Sequence, residues 1–422
     1  MKIESGKLRS GLPVVVCPMD SLESVTVGFW VGVGGRYEER SQMGISHFIE
    51  HLLFKGTKKR NALQITEAIE GVGGYLNAFT SEEVTCYYAS ATARHLGLLL
   101  EVLSDMVLRS HFPVEEVERE RGVICEEIRM YEDQPAQVAQ EGLNELVWGK
   151  HPLGYALAGT EKTVKSISRR EIIDYWKSNY HLGNLAVVVA GKTSLAEILP
   201  LLEKTLRRVP LGKRAPFKKQ QSIQSAPRFA WIKKPIEQTH LALGFPSISR
   251  HDPRRFALKI MSTILGENMS SRLFQEIRER NGLAYSIQSS ASYFHETGLF
   301  TVLSGVDTTK SVKSLQLTLK VIDQMRAKAP TAKEIERAKE YVIGQFLLGL
   351  ESSSNQMIWA GESLLGFGSV KSPEVVVKAI EAVKVAEIVQ LSKAILKRDR
   401  LNLVAVAEEL PEKEIRRVIG IV

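Results

Sequence analysis

The second half of this chain faintly repeats the first, and that repetition restricts the fold more than any single motif. The apolar, glycine-bearing run Thr239-His240-Leu241-Ala242-Leu243-Gly244-Phe245 echoes the run from Val25 to Val33. Arg254 to Leu265 echoes the helix-patterned stretch around His47, and Gly282-Leu283-Ala284-Tyr285 echoes Gly73-Gly74-Tyr75. Ser311 to Met325 echoes the amphipathic segment containing Met106, and Glu334 to Leu350 echoes the one that begins at Pro113. Halves of about 200 residues with one order of elements imply two copies of one domain. Residues 213–227 lack periodicity and are rich in lysine, proline and polar side chains, the composition of a linker. The expected division is therefore a domain over 1–212, the linker, and a second domain over 228–422.

Within the first half, apolar runs near residues 12–17, 24–34, 75–80, 84–89 and 184–191 read as strands. Helical spacing runs through 45–53, 62–70, 94–108, 113–132 and 195–208. Glycines in the strand at 24–34 permit close approach of a neighbour. Gly71, Gly73 and Gly74 end the second helix, Ser46 is a candidate N-cap for the first, and Arg36 to Ser41 reads as polar loop.

The formal charge of +8 raises nucleic acid as a partner, but the basic residues are scattered and no stripe interleaves them with aromatics. A solvated basic surface is the better account, and no nucleic-acid partner is expected. No apolar run is long enough for a membrane span. The three cysteines, Cys17, Cys86 and Cys125, are widely spaced in apolar surroundings, as reduced thiols are. With no leader-like pattern at Met1 to Gly6, the cytoplasm is the expected compartment.

The chemistry concentrates in His47-Phe48-Ile49-Glu50-His51. On a helix these two histidines and the glutamate share one face, while Ile45, Phe48, Ile49, Leu52 and Leu53 bury the rest. Imidazoles four apart can grip one metal ion and leave the carboxylate beside it to handle a proton. The order His-x-x-Glu-His is the inverzincin signature. A catalytic zinc takes three protein ligands, so one must come from elsewhere. Glu120 and Glu127, two turns apart on one face of the acidic segment 115–133, are the best source, with Glu126 an alternative by proximity. The corresponding helix of the second half contains no histidine, so only one half can hold the ion.

His47 to Thr57, the string Gly73-Gly74-Tyr75-Leu76-Asn77-Ala78-Phe79-Thr80, and Glu120 to Glu127 together resemble the pitrilysin family of metallopeptidases. Within it the likeness is greatest to the β subunit of mitochondrial processing peptidase and its bacterial relatives, and it spans nearly the whole chain. The resemblance implies an α+β fold of two homologous domains, each a largely antiparallel sheet packed with helices. It implies one Zn2+ per chain, held by His47, His51 and Glu127, with Glu120 supporting the site from outside the ligand set. Glu50 would be the general base of an endopeptidase acting on peptides or unfolded leader segments within an enclosed chamber. Strand 75–80, if it is a sheet edge, would bind an extended peptide through its backbone, and Asn77, Ala78 and Phe79 match the family's substrate strand. Arg278 and Tyr285 match a pair that contacts substrate and tetrahedral intermediate in the family. Since this chain carries both the metal motif and that pair, a homodimer is expected, with a heterodimer the alternative. The acidic segment near the site would favour basic peptides. The glycine-rich loop of the mitochondrial α subunit has no clear match. A non-catalytic subunit, like the core proteins of the respiratory cytochrome bc complex, is the rival reading, and those have typically lost the metal residues. His95, His111, His151, His181, His240, His251 and His295 show no spacing that pairs them.

Overall fold

A computed structural model describes residues 2–207, 209–214, 216–220 and 224–421. Positions 215 and 221–223 of the expected linker, and position 208 at the end of the last helix of the first half, lie outside the described residues. The first half supplies the strands β1 (Glu4–Lys7), β2 (Pro13–Pro18), β3 (Ser24–Val31), β4 (Tyr75–Thr80), β5 (Thr85–Thr92) and β6 (Leu185–Gly191). The second supplies β7 (Arg228–Lys233), β8 (Gln238–Ser247), β9 (Ala284–Tyr293), β10 (Gly298–Asp307) and β11 (Asn402–Ala407).

The strands form two sheets, in the orders β1-β2-β6-β3-β5-β4 and β7-β11-β8-β10-β9. Apart from β1 the two orders correspond strand for strand. Each has a single parallel pair, β2 with β6 and β7 with β11, and every other pairing is antiparallel. The faint sequence repeat is thus a repeat of topology, and the fold is α+β as expected.

The compact units do not follow the chain as simply as a division at 213–227 suggests. One comprises residues 1–128, 155–218 and 347–373, and the other 129–154, 219–346 and 374–422. Each therefore includes a helix from the other half of the sequence. In the first unit the helix Ser353–Phe367 lies on β2, β3 and β6. There Trp30 donates its indole N–H to the Met357 sulfur at 3.3 Å, and Thr26 bonds Ser353 at 2.9 Å. The approach is so close that a Cβ on Gly361 would stand 2.0 Å from the Trp30 ring. In the second unit the helix Pro135–Trp148 lies on β7, β8 and β11, where a Cβ on Gly142 would stand 2.7 Å from Ile232. Small residues at these two places let helix and sheet approach to packing distance.

Cys17, Cys86 and Cys125 are free and buried. Among the described residues no helix is long and apolar enough to cross a membrane.

Candidate metal centre

The motif occupies the helix Ile45–Leu52, whose residues Ile45, Phe48, Ile49 and Leu52 are buried. Ser46 does not cap it. The N-cap is Gly44, in the left-handed region at φ 94, which a side chain would strain. The free N–H groups are met instead by Glu38, whose carboxylate accepts from Gly44 N at 2.8 Å and Ser46 N at 2.9 Å. A carboxyl group that meets two N–H groups with its two oxygens takes the place a serine hydroxyl would fill, and Ser46 Oγ also bonds Tyr175 OH. Glu38 is buried, which pushes its carboxyl up to about 7 against the pull of the two N–H donors. The segment expected to be polar loop thus has a buried interior side, with Arg36 and Glu38 both inside.

The other carboxylates come from the helix Val114–Glu132. His47, His51 and Glu127 bring one ligand atom each to within 4.8 Å of one another, the one such group of three or more among the described residues. Glu127 Oε2 lies 3.7 Å from His47 Nε2 and 3.4 Å from His51 Nε2. Glu120 meets the other ring nitrogen, His51 Nδ1, at 3.2 Å. Its second oxygen takes an ion pair from Lys55 at 2.8 Å, a residue that sequence reasoning left without a role. The signal available was position, since Lys55 follows His51 by four. Glu126 is exposed and outside the group.

The electrostatics follow from burial and this ring of carboxylates. Burial, and then the neighbouring His51, lower His47 to about 4, which keeps its imidazole neutral and able to donate a lone pair. Burial would lower His51 as well, but the carboxylates of Glu120 and Glu127 outweigh it and raise the group to about 9. Burial raises Glu50, opposed by the hydrogen bond from Thr80 Oγ1 to its carboxylate. Two imidazoles and a carboxylate converge here, with two further carboxylates close by. That donor set suits a divalent zinc-type cation, which would offset the buried negative charge.

Thr80 is the last residue of β4, and β4 is the edge of its sheet, paired only with β5. Alternation along the strand divides its side chains between two faces. Thr80 and Ala78 share the face of the motif helix. Phe79 lies on the other, edge-to-face with Trp30 at 5.6 Å. Asn77 shares that second face, and its side-chain Oδ1 accepts from the Ala78 backbone N–H at 2.8 Å.

In the second unit Arg278, in the turn of helix Phe274–Arg280, places its guanidinium 5.4 Å from the Tyr285 ring centroid, and Tyr285 is 79% exposed. His251 and His295, which no spacing links, bring their rings to 4.8 Å. The helix that corresponds to the motif helix, Arg255–Ser262, likewise buries an apolar face, with Ala257, Leu258, Ile260 and Met261, but carries no histidine.

Comparison with known proteins gives the family and the fold. Residues 14–161 match the family model described as insulinase (peptidase family M16), and residues 166–342 match the model described as peptidase M16 inactive domain. An uncharacterized zinc protease of Bacillus subtilis is 33% identical over 96% of this chain and 98% of its own length. The chain belongs to peptidase family M16. Another member, an uncharacterized zinc protease of Mycobacterium tuberculosis, is 35% identical over 93% of this chain and 90% of its own. A protease from Helicobacter pylori has the same fold, with a TM-score of 0.89 at 22% identity, covering 96% of this chain and 99% of that one. An M16-like peptidase from Alicyclobacillus acidocaldarius aligns with a TM-score of 0.81 at 21% identity, covering 96% and 98%. The M16 resemblance of the sequence is therefore shown, and the relatives are named as zinc proteases.

Proposed function

We propose that this M16 chain is a zinc-dependent endopeptidase, with His47, His51 and Glu127 as the ligands of one zinc ion and Glu50 as general base. The observation that carries the reading is the convergence of those three donors beside a carboxylate bonded to the end of an edge strand. A zinc ion bound there would supply Lewis acidity toward a peptide carbonyl and toward water. Glu50 would take the proton of the attacking water and return it to the leaving amine. Glu120 would fix the orientation of His51 through Nδ1, with Lys55 holding Glu120 in turn. An extended peptide or unfolded leader segment would add to β4 through main-chain hydrogen bonds, largely without regard to sequence. In the same reading the chain forms a homodimer, and Arg278 and Tyr285 of one copy stabilise the oxyanion at the site of the other. The exposure of Tyr285 beside Arg278 is consistent with that use.

The decisive variant is Glu50→Gln. It should lower cleavage of a basic peptide panel by about 10²–10⁴-fold, with zinc content and circular dichroism unchanged. Full activity in that variant would sink the proposal.

A further inference from the structure

Between β3 and the motif helix, one short loop grips two parts of the site at once. Gly35 N donates to Ser81 O at 3.1 Å and Arg36 N to Glu82 O at 2.8 Å, which ties the loop to the turn immediately after Thr80. The fit is close, since a Cβ on Gly34 would stand 2.1 Å from Ser81 O. Arg36 extends the grip through its side chain, which forms an ion pair with Glu83 in the same turn and is wholly buried. Its second terminal nitrogen donates to Lys218 O at 3.2 Å, and the Phe217 ring covers the guanidinium at 4.0 Å. Two residues further on, Glu38 holds the N-terminus of the motif helix through Gly44 N and Ser46 N. Arg36 therefore fixes the end of the edge strand, and Glu38 fixes the helix that carries His47, Glu50 and His51.

We propose that Arg36 and Glu38 are positioning residues, which together set the spacing between β4 and the motif helix and hence the Thr80–Glu50 contact. Neither side chain belongs to the metal group. Both act through the elements they hold. The inference rests on the peptidase reading for its kinetic consequence, but its structural consequence is independent of catalysis. A charged pair this deeply buried is costly unless its geometry is satisfied on both sides, and a planar guanidinium satisfies three neighbours here where an ammonium serves fewer.

Two conservative variants separate the two grips. Arg36→Lys keeps the charge and loses the fork and the stacking on Phe217. It should free the strand end, raising KM for an extended peptide about tenfold, since small displacements of a bound peptide are costly, with zinc content unchanged. Hydrogen exchange of the β4 amides should accelerate in the same variant, with or without substrate. Glu38→Gln turns an N–H group toward donors that need an acceptor. It should tilt the helix and weaken zinc binding, with slower β4 exchange than in Arg36→Lys. Both variants should fold, as judged by circular dichroism. If Arg36→Lys misfolds, Phe217→Leu provides the same loosening from outside the ion pair and should give the same exchange signature. An active wild type with unchanged KM and unchanged β4 exchange in Arg36→Lys would overturn the positioning role while leaving the peptidase reading intact. A wild type that cleaves no peptide would overturn the peptidase reading alone, and the exchange result would still decide the loop.

Discussion

Apart from β1 the two sheets of this chain have the same strand order and the same single parallel pair, yet among the described residues only the first has a group of three possible metal ligands beside it. After β3 comes a helix with His47, Glu50 and His51 on one face. After β8 comes a helix that buries Ala257, Leu258, Ile260 and Met261 much as the first buries Ile45, Phe48 and Ile49, but that carries no histidine. The backbone scaffold is thus indifferent to the chemistry, and a handful of side chains on one helix decides it. The loops before the two helices differ in the same sense. The first brings Glu38 to a helix N-terminus that has no side-chain cap of its own. In the second, Asp252 bonds Arg254 beside the helix start instead.

The strongest way to sharpen that contrast is to remove the metal group from the first unit. His47→Ala should lose bound zinc and reduce peptide cleavage to background, read by metal analysis and kcat/KM together. A chelator such as phenanthroline should do the same reversibly to the wild type, with activity returning on addition of zinc. Next in size is Glu120→Gln, which keeps the three proposed ligands and changes only the partner of His51 Nδ1. Zinc affinity should fall by about 10–100-fold, measured by competition with a chromophoric chelator. An unchanged affinity would remove Glu120 from the supporting role.

Smaller effects test the packing common to both units. Gly361→Ala forces a methyl group into the Trp30 ring and should cost about 1–3 kcal/mol by overpacking, seen in a urea titration. Gly344, in the helix Ala332–Gly349, has nothing near its Cβ position. Gly344→Ala should therefore be neutral or stabilise by up to about 1 kcal/mol. An equal cost for both would break the claim that Gly361 serves close approach.

The second unit should also show an acid-sensitive contact that owes nothing to the site. Arg272 pairs with Glu334 at 2.7 Å and holds its carboxyl down to about 2, with Thr331 assisting. Because the folded value lies below the ordinary 4.5, the pair contributes fully above that pH and its contribution fades as pH falls toward 2. The pair is partly solvent-screened, so the effect is about 1 kcal/mol. Arg272→Ala should flatten the stability profile between those pH values, and an unchanged slope would assign the acid sensitivity elsewhere.

Much of the fold was legible because its elements announce themselves locally. Periodicity marked the helix at 62–70 and the strand at 75–80, and both stand in the structure with those bounds. The echo of Gly73-Gly74-Tyr75 at Gly282 to Tyr285 has its counterpart in topology, since β9 stands at the edge of its sheet as β4 does. The exchanged helices were not legible. Met357 and Trp30 are 327 residues apart, and an amphipathic helix does not declare which of two similar sheets it will cover. The cap was misread for a related reason: Ser46 is a good local candidate, but Glu38 reaches the same N–H groups from a preceding loop that composition marked only as polar.

The site divides along the same line. Sequence alone determined that two imidazoles and a carboxylate share one helical face, because helix geometry converts spacing into direction. It also narrowed the remaining ligand to glutamates on one acidic helix. The family resemblance already implied Glu127 as a ligand with Glu120 behind it; the tertiary structure adds that Glu127 faces the Nε2 atoms and that Lys55 pairs with Glu120 behind His51. The same holds for Thr80 reaching Glu50, and for Arg36 and Glu38 holding strand and helix from a single loop. Those are contacts between elements, set by how helix and sheet pack, and residue spacing carries no record of them.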